Sequence, residues 1–216
     1  MRSILTIVDA ANGLSLLSEE ERRVAAGLAS DDDSQDDALA AMDLRAAAAI
    51  CDECNVAVGT GNEPTLLRET VSEAFRRVYG SQIALGRRHD IAITSVTEDD
   101  VLLAAADYEV DPESGLLDRL SGTYARGWAA RTVVVVYAAG FDEAPQALKN
   151  AAIETMTAMW RDAGRDPYVK GTTVEVPDVE TVRTDMWSGS LPGQMEGSVP
   201  PGADVHLKRF RNMAIG

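Results

Sequence analysis

The residues in this sequence best able to do chemistry are two cysteines, two histidines, a run of aspartates and a pair of close glycines. Cys51-Asp52-Glu53-Cys54 has the spacing of a redox disulfide or of half a zinc site. A tetrahedral zinc site needs two further ligands at short spacing, whereas His89 and His206 each stand isolated. A redox pair works from a helix start that lowers its thiol pKa; here the pair closes a helical pattern and encloses two acids. The cysteines are therefore read as small buried side chains, with a CxxC redox or metal protein kept as an alternative. The run Asp31-Asp32-Asp33-Ser34-Gln35-Asp36-Asp37 lacks the glycine and distal glutamate of a calcium loop. Gly59-Thr60-Gly61 is not followed by the Gly-Lys-Ser/Thr of a phosphate loop. No Ser/His/Asp or Cys/His set stands in a suggestive context, so no catalytic residue, cofactor or metal ligand is assigned, and the chain is read as no enzyme.

The elements that would position such residues are legible. Ser18-Glu19-Glu20-Glu21 is a capping box that predicts a helix to Ala29. Ser34 with Asp37 reads as a second capping box, opening a helix to about Asn55 with Leu39, Met42, Ala46, Ala49 and Ile50 on one face. Breakers over Gly59–Pro64 mark a boundary. From Leu66 the period changes to two. Leu67, Glu69, Val71, Glu73 and Phe75 share one face, and short apolar runs follow at Ile83–Leu85, Ile91–Val96, Val101–Leu103 and Tyr108–Val110. This predicts a small antiparallel sheet.

Thr132-Val133-Val134-Val135-Val136-Tyr137 cannot alternate, so it predicts a central strand covered on both faces. Gly140 frees the backbone to leave the sheet, and Pro145 suits a first helical position. The helix that follows carries Leu148, Ala152, Met156, Met159 and Ala163 on one stripe, flanked by Ile153 and Trp160. Beyond Gly164 the chain holds Pro177, Pro192, Pro200 and Pro201 and lacks a long amphipathic period. This predicts an extended C-terminal arm that orders on a partner, with a tail folded back on its own domain as the other reading.

The 216 residues suffice for one substantial core. The formal charge is −15, concentrated at the front: residues 1–64 hold 4 Lys and Arg against 13 Asp and Glu. Affinity for nucleic acid rests on basic residues that neutralise phosphates, so tight DNA binding is excluded. The apolar run Ile4–Val8 stops at Asp9, too short for a secretion signal, and no segment reaches the roughly 20 apolar residues of a membrane span. The expectation is a soluble chain made in a reducing cytoplasm, with no membrane partner.

Several stretches resemble the head-tail connector (adaptor, or head-completion) proteins of long-tailed bacteriophages. Val136-Tyr137-Ala138-Ala139-Gly140-Phe141, then Pro145, Leu148-Lys149 and Ala151, is similar to that family's strand-AG-aromatic-Pro-Leu-Lys-x-Ala signature. Ile83-Ala84-Leu85, Ile93-Thr94-Ser95-Val96, Asp107-Tyr108 and Gly115-Leu116-Leu117 also resemble family wording, and Asp36-Asp37-Ala38-Leu39, Leu191-Pro192 and Phe210-Arg211 fit more loosely. Arg88-His89-Asp90 departs from it where many relatives place a proline.

The resemblance implies an α+β fold: an antiparallel helical bundle with an inserted small antiparallel β-sheet domain and an extended C-terminal arm. The expected parts are an N-terminal helical part (1–63), the inserted sheet (64–141), a long helix completing the bundle (142–168) and the arm (169–216). It implies a structural virion protein at the neck, assembled in the host bacterial cytoplasm as a homo-oligomeric ring, usually of twelve subunits. The ring attaches to the portal protein and meets a stopper or tail-terminator protein. Genomic DNA passes through its channel without tight binding. Within this reading Trp187, Leu191, Leu207, Arg209, Phe210 and Arg211 are the portal-contacting arm. Tyr137, Gly140, Phe141 and Pro145 form a structural hinge, and Leu148, Ala152, Met156, Met159 and Trp160 pack the ring helix. Deleting residues 169–216 is then expected to leave a folded protein that no longer joins heads. The other alternative is an acidic DNA mimic or regulatory binding protein.

Overall fold

The computed structural model describes residues 2–61, 63–163, 171–176, 180–185 and 198–212. In chain order these form β1 (Arg2–Asp9), α1 (Glu19–Ala25), α2 (Asp36–Glu53), β2 (Glu69–Gly80), β3 (Gln82–Ala84), β4 (Ala92–Glu98), β5 (Val101–Leu102), β6 (Tyr108–Val110), β7 (Leu116–Ser121), β8 (Tyr124–Arg126), β9 (Trp128–Ala139), α3 (Gln146–Ala163), β10 (Gly171–Val176), β11 (Glu180–Asp185) and α4 (Pro201–Leu207). The fold is α+β, and its strand pairings are antiparallel.

A five-stranded sheet runs β1-β2-β9-β4-β5. The valine strand β9 is its centre, flanked by β2 and β4 as expected, but only one of its faces is packed into a core, where both were expected to be covered. Its two faces are unequal: Val133, Val135 and Tyr137 are buried, while Val134 and Val136 are half-buried. The smaller sheet places β7 between β3 and β6, with β8 added to β7. Between the sheets lies one core that includes Val71, Phe75, Ile83, Val96, Leu117, Trp128, Val135 and Tyr137, and the Trp128 indole N–H bonds the Leu117 carbonyl across it at 3.2 Å.

The strand β1 corrects the N-terminal expectation. Residues 2–9 lie in the region read as helical, yet they pair with β2 from Arg2 opposite Arg76 to Asp9 opposite Thr70. Ile4 to Val8 is nearly unbroken in apolar character and has no partner within reach in sequence. Only the long-range pairing reveals what it does.

The four helices share a second core built from Leu39, Met42, Ala46 and Ile50 of α2, Leu148, Ala152 and Met156 of α3, Ala203 and Leu207 of α4, and Phe210. The Ser18 capping box forms as expected. The Ser34 box does not: Gln35 is the N-cap and makes no side-chain bond, while the Ser34 N–H donates to the Asp32 carboxylate at 3.1 Å. That Asx turn uses the group the cap would have needed. Arg23 instead secures the start of α2 through both oxygens of Asp36.

The extended-arm expectation also changes. Residues 171–176 and 180–185 form a two-stranded sheet, and residues 201–207 form α4, packed into the helical core. Leu207 and Phe210 are buried at 0% and 2% exposure. Seven residues are too few to show a long amphipathic period, but two well-placed apolar side chains suffice to seat them. Trp187 and Leu191 lie outside the described residues.

Candidate functional site

The two cores meet at a seam built around the end of the central strand. There β9 turns out of the sheet at Gly140, and the incoming segment before β2 runs alongside it. The Phe141 N–H donates to the Leu66 carbonyl at 3.0 Å, and the Arg68 N–H donates to the Phe141 carbonyl at 2.9 Å. Gly140 has φ +95°, and a Cβ there would stand 2.5 Å from the Leu67 carbonyl oxygen. Only glycine accepts both conditions. Its N–H donates to the His89 carbonyl at 2.9 Å, which ties the turn to the loop before β4.

Three rings then join three distant segments. His89 stacks on Phe141 with centroids 5.2 Å apart, and Phe210 meets both edge-on at 5.6 and 5.7 Å. Edge-to-face and offset stacks are favoured arrangements of such rings. His89 and Asp90 have φ of +70° and +49°, a region closed to proline. The departure at Arg88-His89-Asp90 thus coincides with a loop conformation that proline cannot take at either position.

The C-terminal segment is held at the same seam. Arg88 donates to the Arg211 carbonyl at 2.8 Å, and Asn212 donates from its backbone to Cys54 at 2.8 Å and from its side chain to Asn55 at 2.9 Å. The Arg211 guanidinium reaches Glu53 and Asp204. Arg209 lies over the Phe210 ring at 4.6 Å. Of the expected arm residues, then, Leu207, Phe210 and Arg211 make their contacts within this chain.

Beside the rings runs a row of buried polar groups that shares its strand face with Val71 and Phe75. Arg87 donates through Nε to Glu69 at 2.5 Å and through Nη1 to the Ala57 carbonyl. The Tyr137 hydroxyl donates to Glu73 Oε2 at 2.9 Å and accepts from the Arg87 N–H at 3.1 Å, while the Gly86 N–H donates to the same carboxylate oxygen at 2.8 Å. Burial pushes both glutamate carboxyls up, against the pull of Arg87 and of these hydrogen bonds. Burial also raises the Tyr137 phenol well above its ordinary value, reinforced by Glu73. The sequence carried a sign of this row, since period-two alternation puts Glu69 and Glu73 on the apolar face. Arg87 and His89 were missed, because their partners lie far away in the chain.

The arrangement packs closely around the rings. The void at the ring cluster holds about 10 Å³, room for about one water. A groove of about 350 Å³ lies between β1, the loop after α2 and the loop after β3, and its charged lining is Glu73 and Arg88. Glu73 is already bonded to Gly86 and Tyr137. Cys51 and Cys54 are free and buried, and burial pushes each thiol up to about 12, which disfavours the thiolate that acts as a redox nucleophile. Among the described residues no group of three or more His, Cys, Asp or Glu is placed to hold a metal ion.

Of the other expected residues, Tyr137 is the most bulky fully buried side chain among the described residues. The Pro145 carbonyl accepts from the Lys149 N–H at 3.0 Å, which makes Pro145 the residue just before the helix. Leu148, Ala152 and Met156 are buried on α3, joined by Ala151 and Thr155. Met159 and Trp160 are half-buried against that core, and Ala163 is exposed. No helix among the described residues is long and apolar enough to cross a membrane.

No protein-family model and no curated protein matches the sequence. Solved structures do match the fold. The neck of an empty GTA particle, computed with C6 symmetry, contains a chain that covers 99% of this one and is itself covered over 97%, at TM-score 0.58 and 17% identity. The neck of a native GTA particle, computed with C12 symmetry, matches with the same coverage at TM-score 0.53 and 15% identity. The chain has the fold of a particle-neck component. Each match spans nearly the full length of both chains.

Proposed function

We propose that this chain is a structural component of the neck of a phage-like particle, forming a homo-oligomeric ring that attaches to a portal and joins the DNA-filled head to the tail. The observation that carries the proposal is the match of fold over almost the whole chain with neck chains of two particle structures. Those necks were computed with sixfold and twelvefold symmetry, which supports a ring of six or twelve copies here. The chemistry of the seam is consistent with a mechanical role. Arg87 pairs with Glu69, Glu73 is hydrogen-bonded by Tyr137 and Gly86, and the rings clamp the sheet to the helices.

The charge of −15 supports a channel that does not hold its cargo. An acidic wall repels a duplex over a Debye length of about 8 Å at physiological salt, so DNA slides past without being gripped. In this reading Arg209 and the segment 186–197, with Trp187 and Leu191, contact the portal, while Leu207 and Phe210 anchor that segment to the subunit. Electron microscopy of the purified protein, alone and mixed with portal, tests the proposal. Rings that stack on the portal are expected. A monomer or dimer that ignores the portal and captures a DNA-processing enzyme would replace this reading with the acidic mimic.

A further inference from the structure

The outward face of the five-stranded sheet is built differently from the rest of this acidic chain. Opposed residues in a sheet share a face, so the registers place Ile4, Ala74, Val134, Thr97 and Leu102 in one row across all five strands. The next row is Thr6, Ser72, Val136 and Ser95, and the third is Thr70, Ala138 and Ala92. None of these residues is charged. Charge appears at the border: Asp9 lies opposite Thr70 at one end, and at the other Arg2 lies opposite Arg76 while Asp99 accepts from the Thr132 N–H. None of the apolar members belongs to either core or packs against one. Ile4 is 46% and Leu102 68% exposed at the two ends of the first row.

We infer that this face is the contact each subunit presents to the next copy of the same chain; the inference rests on the ring proposed above. Two copies at −15 each repel, and a contact made through a surface that carries no carboxylates brings the fewest like charges together. Here the chain supplies such a surface, edged by two acids and a basic pair. Five strands and three rows measure roughly 20 Å by 14 Å, on the order of 300 Å². A standard interface takes about 800 Å² from each partner. The face is therefore the charge-free centre of the contact, where interfaces are depleted of charge, and the surrounding side chains form its rim.

Mass photometry of the wild type, Val136→Asp and Thr6→Lys decides the matter, with circular dichroism and urea midpoints to establish folding. The second variant is on the first strand, exposed, and of opposite charge, and its side chain gives up only a 3.4 Å contact with the Thr60 hydroxyl. The expected result is a wild-type ring and two folded variants whose half-assembly concentration rises at least about tenfold, as a desolvated unpaired charge requires. Rings of unchanged stability in both variants would overturn the inference and leave the ring standing. Intact rings that no longer stack on portal would assign the face to the portal, and would likewise overturn it. A wild type that stays monomeric at every concentration would defeat the ring reading itself.

Discussion

At the residue scale, the seam depends on positions where the chemistry has no spare option. Gly140→Val must relieve both a left-handed backbone and a Cβ 2.5 Å from the Leu67 carbonyl; the expected loss is about 3 kcal/mol or more, read as a lowered urea midpoint, and ring assembly should fail with it. Glu73 gives a pH signature. Burial raises its carboxyl above the ordinary 4.5, so over the window between those two values the folded state keeps a proton that the unfolded chain has released. Stability from this group therefore falls as pH climbs through that window. Glu73→Gln keeps an acceptor for Tyr137 and Gly86 while removing the titration. Its urea midpoint relative to wild type should rise as pH climbs above the ordinary carboxylate value; a constant difference would show that Glu73 does not titrate in the folded protein.

At the scale of elements, α4 alters what a truncation should do. The sequence expectation was a folded protein after loss of residues 169–216, because that segment lacks a long amphipathic period. Yet Ala203, Leu207 and Phe210 are buried in the helical core, and Gly202 lies so close to α3 that a Cβ would strike the Glu154 carboxylate. Removing the segment strips one side from α3. Leu207→Ala alone should cost ~2–5 kcal/mol, measured by thermal or urea unfolding, and the full truncation should be less stable still. An unchanged midpoint for Leu207→Ala would return α4 to the status of a loosely attached arm. The lesson of β1 is parallel: an edge strand at the N-terminus is recruited by β2, some sixty residues onward, and no local pattern announces it.

At the scale of the whole molecule, charge and assembly are linked. A ring of copies at −15 each places like charges side by side, and salt screens them. Raising ionic strength from about 0.02 M to about 0.2 M shortens the Debye length severalfold, so the proposed ring should persist to lower protein concentration at the higher salt, as followed by sedimentation velocity. Dissociation by salt would mean that ion pairs hold the subunits, and would argue against an uncharged contact face.

The sequence by itself determined the central strand, the α+β class, the glycine exit at 140, the capped first helix and the two long helices, because each follows from local period, caps or backbone freedom. It also placed Glu69 and Glu73 on the apolar face, two acids where alternation asks for hydrophobes. The tertiary structure alone decided that Arg87 and Tyr137 satisfy them, that His89 and Phe210 close on Phe141, and that residues 2–9 join the sheet. Those facts depend on contacts between segments tens of residues apart or more, and their energy appears only when both partners are in place. The neutral outer face belongs to the same class: its residues come from five strands scattered between Ile4 and Ala138, and the strand registers make them one surface.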